Sequence, residues 1–220
     1  MITIERVTEE LHAAFRCLNK EFFNTALPEP AITIQSGGKR LTMGWCTTKP
    51  IWRDNDAKIK MYEINIAAEY LNIEFYETMD TMLHEMVHLY NLVNNVKDVS
   101  RGGQYHNKRF RDECLRRGFY YESNKPDKRL GWSFAKITEE TKRIIDGFDI
   151  DREVFVIARN TFGNMQRTPE DEDESPVKQK SHIRKYVCSL CGISVRASKE
   201  VNIRCDDCDE KMVVEDSEDE

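Results

Sequence analysis

Residues 84–88 read His-Glu-Met-Val-His. On a helix, positions i and i+4 stand one above the other, so the imidazoles of His84 and His88 can reach one ion. Glu85 then projects beside that ion, where its carboxylate can take a proton from a metal-activated water. As ordinary helix residues, the three would sit on or beside an apolar stripe. That placement costs on the order of a few kcal/mol without partners, a cost that a metal relieves. A catalytic zinc takes three protein ligands and keeps a fourth position for water. The chain has five histidines. His12 falls in a leading helix and His182 in a linker, which leaves His106 as the natural third ligand. Asp112 and Glu113 are the carboxylate alternatives, and His106 also reads as a surface residue opening a helix.

A second set is made of thiols. Cys188-x2-Cys191, thirteen residues, then Cys205-x2-Cys208 has the spacing of a structural zinc ribbon. Each C-x-x-C forms a tight knuckle aiming two thiolates at one ion, and Gly192 suits the first turn. A module of this size buries little core, so the metal supplies most of its stability. Redox pairs or disulfides would not explain two matched pairs in a chain without an export signal. Cys17, Cys46 and Cys114 are scattered.

The elements that must carry these residues are legible in the apolar spacing. Val7, Leu11, Ala14, Phe15, Leu18, Phe22 and Phe23 recur at three- and four-residue steps, which predicts a helix ending before Pro28. Short β-like runs follow at 31–35, 41–48 and 58–67 and suggest a small antiparallel sheet. A helix over about 74–94 carries the His-Glu-x-x-His residues. A polar loop over 96–105 with Gly102-Gly103 leads to a third helix, beginning near His106 and stopping at Gly118. A helix over 137–146 and a β-like run over 153–162 complete the first part. The fold class is α+β.

The chain holds 33 Lys+Arg and 39 Asp+Glu, a net charge of −6. That acidity lies in two short runs, Glu170–Glu174 and Glu215–Glu220, so it says little about what the folded parts bind. The organisation expected is a domain over 1–163, an acidic linker over 164–182, the four-cysteine module over 183–214 and an acidic tail over 215–220. No apolar stretch approaches the roughly 18 to 20 residues of a spanning helix. The N-terminus lacks an apolar segment before a small-residue cleavage site. Membrane and secreted classes are thereby excluded, and a cytoplasmic chain is expected, nucleoid-associated if bacterial.

A leading helix, a small sheet with Met43-Gly44-Trp45-Cys46, the segment IKMYEINIAAEYL, then LHEMVH and a later His before x-x-x-Phe resemble the SprT-like zinc metallopeptidases, which include the Spartan proteases. The match covers about residues 5–162, and a four-cysteine ribbon after the peptidase domain also occurs in bacterial members. Many members have Gly directly after the third histidine; this chain has Asn107, a residue that tolerates turn geometry. The resemblance implies a zincin-like domain and an endopeptidase cutting proteins bound or crosslinked to DNA. It would use one catalytic zinc on His84, His88 and His106, one structural zinc on the cysteines, and Glu85 as general base. The strand around Lys58–Ala67 is a candidate edge for an extended substrate, or a plain core strand.

From Arg101 to Arg129 there are nine Lys/Arg against four acids. Lys108, Arg109, Arg111, Arg116 and Arg117 crowd the third helix, and Arg184 and Lys185 open the cysteine module. Basic residues near aromatics can track a phosphate backbone and stack bases; the plainer reading is a solvated face. The other function class is a non-enzymatic, nucleic-acid-associated or transcription-related zinc protein whose ribbon does the work.

Overall fold

In the computed structural model, residues 1–38, 42–56, 58–159 and 184–215 are described. Helix α1 (Ile4–Phe23) starts where Thr3 accepts a hydrogen bond from the Arg6 amide, and ends at Asn24 in the left-handed region. Its apolar stripe of Val7, Leu11, Ala14, Phe15 and Leu18 is buried, as the spacing predicts. Then come β1 (Ala31–Gln35), β2 (Gly44–Cys46), β3 (Trp52–Arg53), β4 (Lys60–Met61) and β5 (Glu63–Ala67). Helix α2 spans Phe75–Val93, followed by β6 (Val99–Ser100), β7 (Tyr105–His106) and helix α3 (Lys108–Arg116). Strands β8 (Phe119–Tyr120) and β9 (Lys136–Ile137) pair before α4 (Glu139–Asp146), which Thr138 caps.

The main sheet has the order β1-β5-β2. β1 runs parallel to β5, and only β2 is antiparallel to it. This corrects the all-antiparallel expectation: β5 starts beside the start of β1, with Ala31 opposite Glu63. The run 58–67 is also not one strand. Its first part pairs with β3, while β5 lies between two neighbours with all five residues buried. It is therefore no edge; β2 is. Alternate side chains divide the sheet. Ile32, Ile64 and Ile66 enter the core with Leu83, Met86 and Phe110, while Glu63 and Asn65 face the other way. There Glu63 accepts from Trp52 Nε1 at 2.5 Å and Thr33 Oγ1 at 3.1 Å.

The β-like run 153–162 forms no strand within its described residues. Arg152–Val154 is a single 3-10 turn that Asp151 caps, and Val154 and Phe155 drop into the core. Without a neighbouring strand to pair with, an apolar run packs by its side chains alone.

The chain divides into two compact units, Met1–Met165 and Gln166–Glu220. The first is a mixed α/β unit of four helices and small sheets. In the second, β10 (Arg184–Val187) is flanked antiparallel by β11 (Ser194–Ala197) and β14 (Val213–Glu215), and β12 (Arg204–Cys205) pairs with β13 (Glu210–Lys211). Its small core is Tyr186, Cys188, Cys205 and Met212. The acidic linker over 164–182 and residues 216–220 of the tail lie outside the described residues. Among the described residues, no helix is long and apolar enough to cross a membrane.

Candidate active site and metal centres

Helix α2 brings His84, Glu85 and His88 against β2, and Gly44 is what lets it approach. A Cβ at Gly44 would stand 2.8 Å from Thr81 Cγ2 and 3.3 Å from Glu85 Cγ. The third histidine arrives on a hairpin, where Val99 pairs with His106 across β6 and β7. The His106 amide donates to Leu130 O, and the Trp132 amide donates to His106 O. Gly131 makes this crossing possible, because its φ is +69° and a Cβ would collide with the His106 carbonyl.

The three rings converge. His84 Nε2 and His88 Nε2 lie 3.3 and 3.1 Å from His106 Nε2. Their outward nitrogens decide what these contacts are. His88 Nδ1 lies 2.7 Å from Asp98 Oδ2, and His106 Nδ1 lies 3.3 Å from Leu130 O. Both oxygens can only accept, so each Nδ1 carries its ring's proton and each Nε2 presents a lone pair. The lone pairs of His88 and His106, facing each other at 3.1 Å, need a cation between them, and His84 Nε2 lies where it can join. Zinc–nitrogen bonds of about 2.0–2.1 Å in tetrahedral array separate ligand atoms by about 3.3–3.4 Å, close to what the rings adopt. The donor set fits zinc.

Phe110 lies under the cluster, its ring centroid 4.7, 4.4 and 4.6 Å from those of His84, His88 and His106. This explains the phenylalanine four residues beyond the third histidine. Asn107 takes no left-handed turn. It is the N-cap of α3 in extended conformation, its side chain accepting from the Arg109 and Phe110 amides. The helix therefore starts at Lys108, and His106 belongs to the strand before it.

Burial sets the charges. It raises the Glu85 carboxyl to about 7, although His88 and the Cys46 amide pull the other way. Burial lowers His84 well below its ordinary value and brings His106 to about 4, with His88 adding to both. For His88 burial is the largest effect and opposes the charge, but the Asp98 hydrogen bond together with the charges of Glu85 and Asp98 outweighs it, and the ring is held above its usual value. The carboxylate alternatives lie elsewhere. Asp112 is paired with Arg111 at 2.5 Å, and buried Glu113 is held between Arg116 and Arg117.

The four thiols Cys188, Cys191, Cys205 and Cys208 lie within 4.8 Å of one another. Cys191 Sγ and Cys205 Sγ are 3.6 Å apart, near the roughly 3.8 Å that tetrahedral zinc–sulfur bonds dictate. Gly192, with φ of +73°, closes the first knuckle by donating its amide to Cys188 O. The backbone amides of Cys191 and Leu190 bring the Cys188 thiol down to about 7, while the neighbouring thiols push Cys208 up to about 12, a crowding that a cation among the four would relieve.

The basic residues differ in what they can offer. Lys108 and Arg109 are exposed, and Arg116 keeps 72% of its side chain exposed despite its pair with Glu113. Arg111 lies over the Trp132 ring at 4.8 Å. Arg117 offers least: its guanidinium pairs with Glu113, donates to Phe22 O and stacks over Phe23 and Tyr90, with 15% of its side chain exposed. Arg184 and Lys185 are half-buried on β10. Sequence reasoning missed a cleft of about 740 Å³ lined by Arg111, Leu115, Tyr120, Tyr121 and Trp132. It also missed Asp98 and Gly131; a carboxylate and a glycine inside a polar loop carry no periodic signal.

The model of the SprT-like family matches residues 11–127, just over half of the chain, from within α1 past the third histidine and α3. No curated protein and no solved structure matches.

Proposed function

The chain belongs to the SprT-like family, and on that premise we propose that it is a zinc-dependent endopeptidase with a zincin-like first unit, acting on proteins bound or crosslinked to DNA. The observation that carries this is the convergence of three imidazole Nε2 atoms, those of His88 and His106 with their lone pairs turned inward, in the same cluster as the buried carboxylate of Glu85. His84, His88 and His106 hold the zinc, and the four cysteines hold a second, structural one. The catalytic zinc supplies Lewis acidity toward a peptide carbonyl and an activated water.

The chain's own groups do the rest. Glu85, with a proton affinity set near neutrality, takes a proton on its carboxylate and passes it to the leaving amine. The Cys46 amide steadies that carboxylate. Met43 O and the Thr47 amide bond to β5, so by ladder alternation the main-chain groups of Gly44 and Cys46 face the open side of β2. An extended substrate adds there, beside Glu85, rather than along β5. For the nucleic acid, the exposed Lys108, Arg109 and Arg116 of α3 supply phosphate contacts, and the exposed Tyr120 of the neighbouring cleft supplies a stacking surface.

The test is cleavage of a DNA-binding protein with and without single-stranded DNA. The intact chain should cut, and faster with DNA. Glu85→Gln should keep its zinc and lose at least about 10²-fold in rate. Undiminished cleavage by the variant would remove Glu85 from the mechanism. Bound zinc with no cleavage under either condition would favour the non-enzymatic, nucleic-acid-associated reading.

A further inference from the structure

Asp98 meets both arms of the histidine cluster without belonging to it. Its Oδ2 lies 2.7 Å from His88 Nδ1 and 3.1 Å from Asn91 Nδ2, both on α2. Its main-chain carbonyl accepts the amide of Asn107, the residue after His106, at 2.9 Å. Its neighbour Val99 is the strand partner of His106. The Asp98 and Asn91 residues are only 7% and 2% exposed.

We propose that Asp98 is the positioning residue of the histidine cluster, fixing the tautomer and aim of His88 through its side chain while its main chain holds His106 in step. The proposal rests on the zinc reading above. A neutral imidazole can carry its proton on either nitrogen, and only the Nδ1–H form leaves Nε2 free for an ion. A carboxylate has nothing but acceptors, so it selects that form. Asn91 donates to the same oxygen and keeps the carboxylate from rotating away. Taking this carboxylate out of water is costly without such donors, so the pocket is built around the contact. The ligand on the helix and the ligand on the hairpin are thereby set against each other by one residue.

Two variants of the full chain test this, Asp98→Ala and Asp98→Asn; the amide oxygen of the second can still accept from His88. Nitrogen-resolved NMR of the imidazoles, with chelator present and well above the pH at which imidazoles titrate, reads the tautomer without metal. The wild type and Asp98→Asn should show His88 protonated on Nδ1, and Asp98→Ala should move the proton to Nε2. Zinc affinity at the histidines should fall about 10- to 100-fold in Asp98→Ala and less in Asp98→Asn. His106→Ala identifies which bound zinc is which. A wild-type His88 protonated on Nε2 would overturn the proposal. So would an alanine variant that keeps the wild-type tautomer, whatever happens to its melting temperature. If the tautomer shifts as expected but the wild-type histidines take up no zinc, the zinc reading falls and the positioning of His88 stands.

Discussion

Asp80 shows how one buried charge can shape stability. It lies on α2 with 7% exposure, and its nearest cation, Lys136 Nζ at 3.6 Å, sits closer to Glu77. Burial raises its carboxyl to about 7, against the pull of Lys136. The folded chain thus keeps a proton that the unfolded chain releases near 4. Where the folded state binds more protons, stability falls as pH rises, here between about 4 and 7, and levels off above. A displacement of that size corresponds to at most a few kcal/mol, on the order of 1.4 per pH unit. Urea unfolding at pH 5 and pH 8 should show wild type losing stability relative to Asp80→Asn; a constant difference between the two would mean that Asp80 does not titrate in this way. The residues that converge in the two clusters were largely legible because few alternatives exist: one His-Glu-x-x-His, one remaining well-placed histidine, two C-x-x-C pairs. Asp98 was not, since its part depends on a contact ten residues back to His88 that no local pattern announces.

Among the elements, α3 depends on its first residue outside the helix. Asn107 accepts from two amides at the N-terminus, so Asn107→Ala should cost about 1 kcal/mol, whereas Asn107→Gly, the residue many relatives of the family carry there, should cost only a few tenths. Equal losses in chemical unfolding would mean that the cap contributes nothing. Helices were legible because a 3.6-residue period survives any tertiary arrangement; α1 and α2 lie close to where their apolar stripes place them. Strands were less so. Alternation reports which side chains share a face, not which way a neighbour runs, so the parallel pairing of β1 with β5 and the central position of β5 were hidden. The start of α3 was misread for a related reason: a two-residue strand such as Tyr105–His106 is too short to have a period.

At the scale of the molecule, each unit has its own core. Among its described residues the second buries Tyr186, Cys188, Cys205 and Met212 with a few partly covered neighbours, a core small enough that an ion on its four thiols would supply most of its stability. Cys188→Ser with Cys191→Ser should therefore collapse the amide dispersion of residues 184–215 while shifting the unfolding free energy of the first unit by less than about 0.5 kcal/mol. Loss of both units together would mean that they fold as one. The two centres also differ in kind, nitrogen donors in one unit and sulfur donors in the other. Thiolates surrender electrons to peroxide and disulfides, and imidazoles under the same conditions do not. Oxidative damage would thus strip the molecule unevenly, undoing the small unit while the histidine centre kept its ligands.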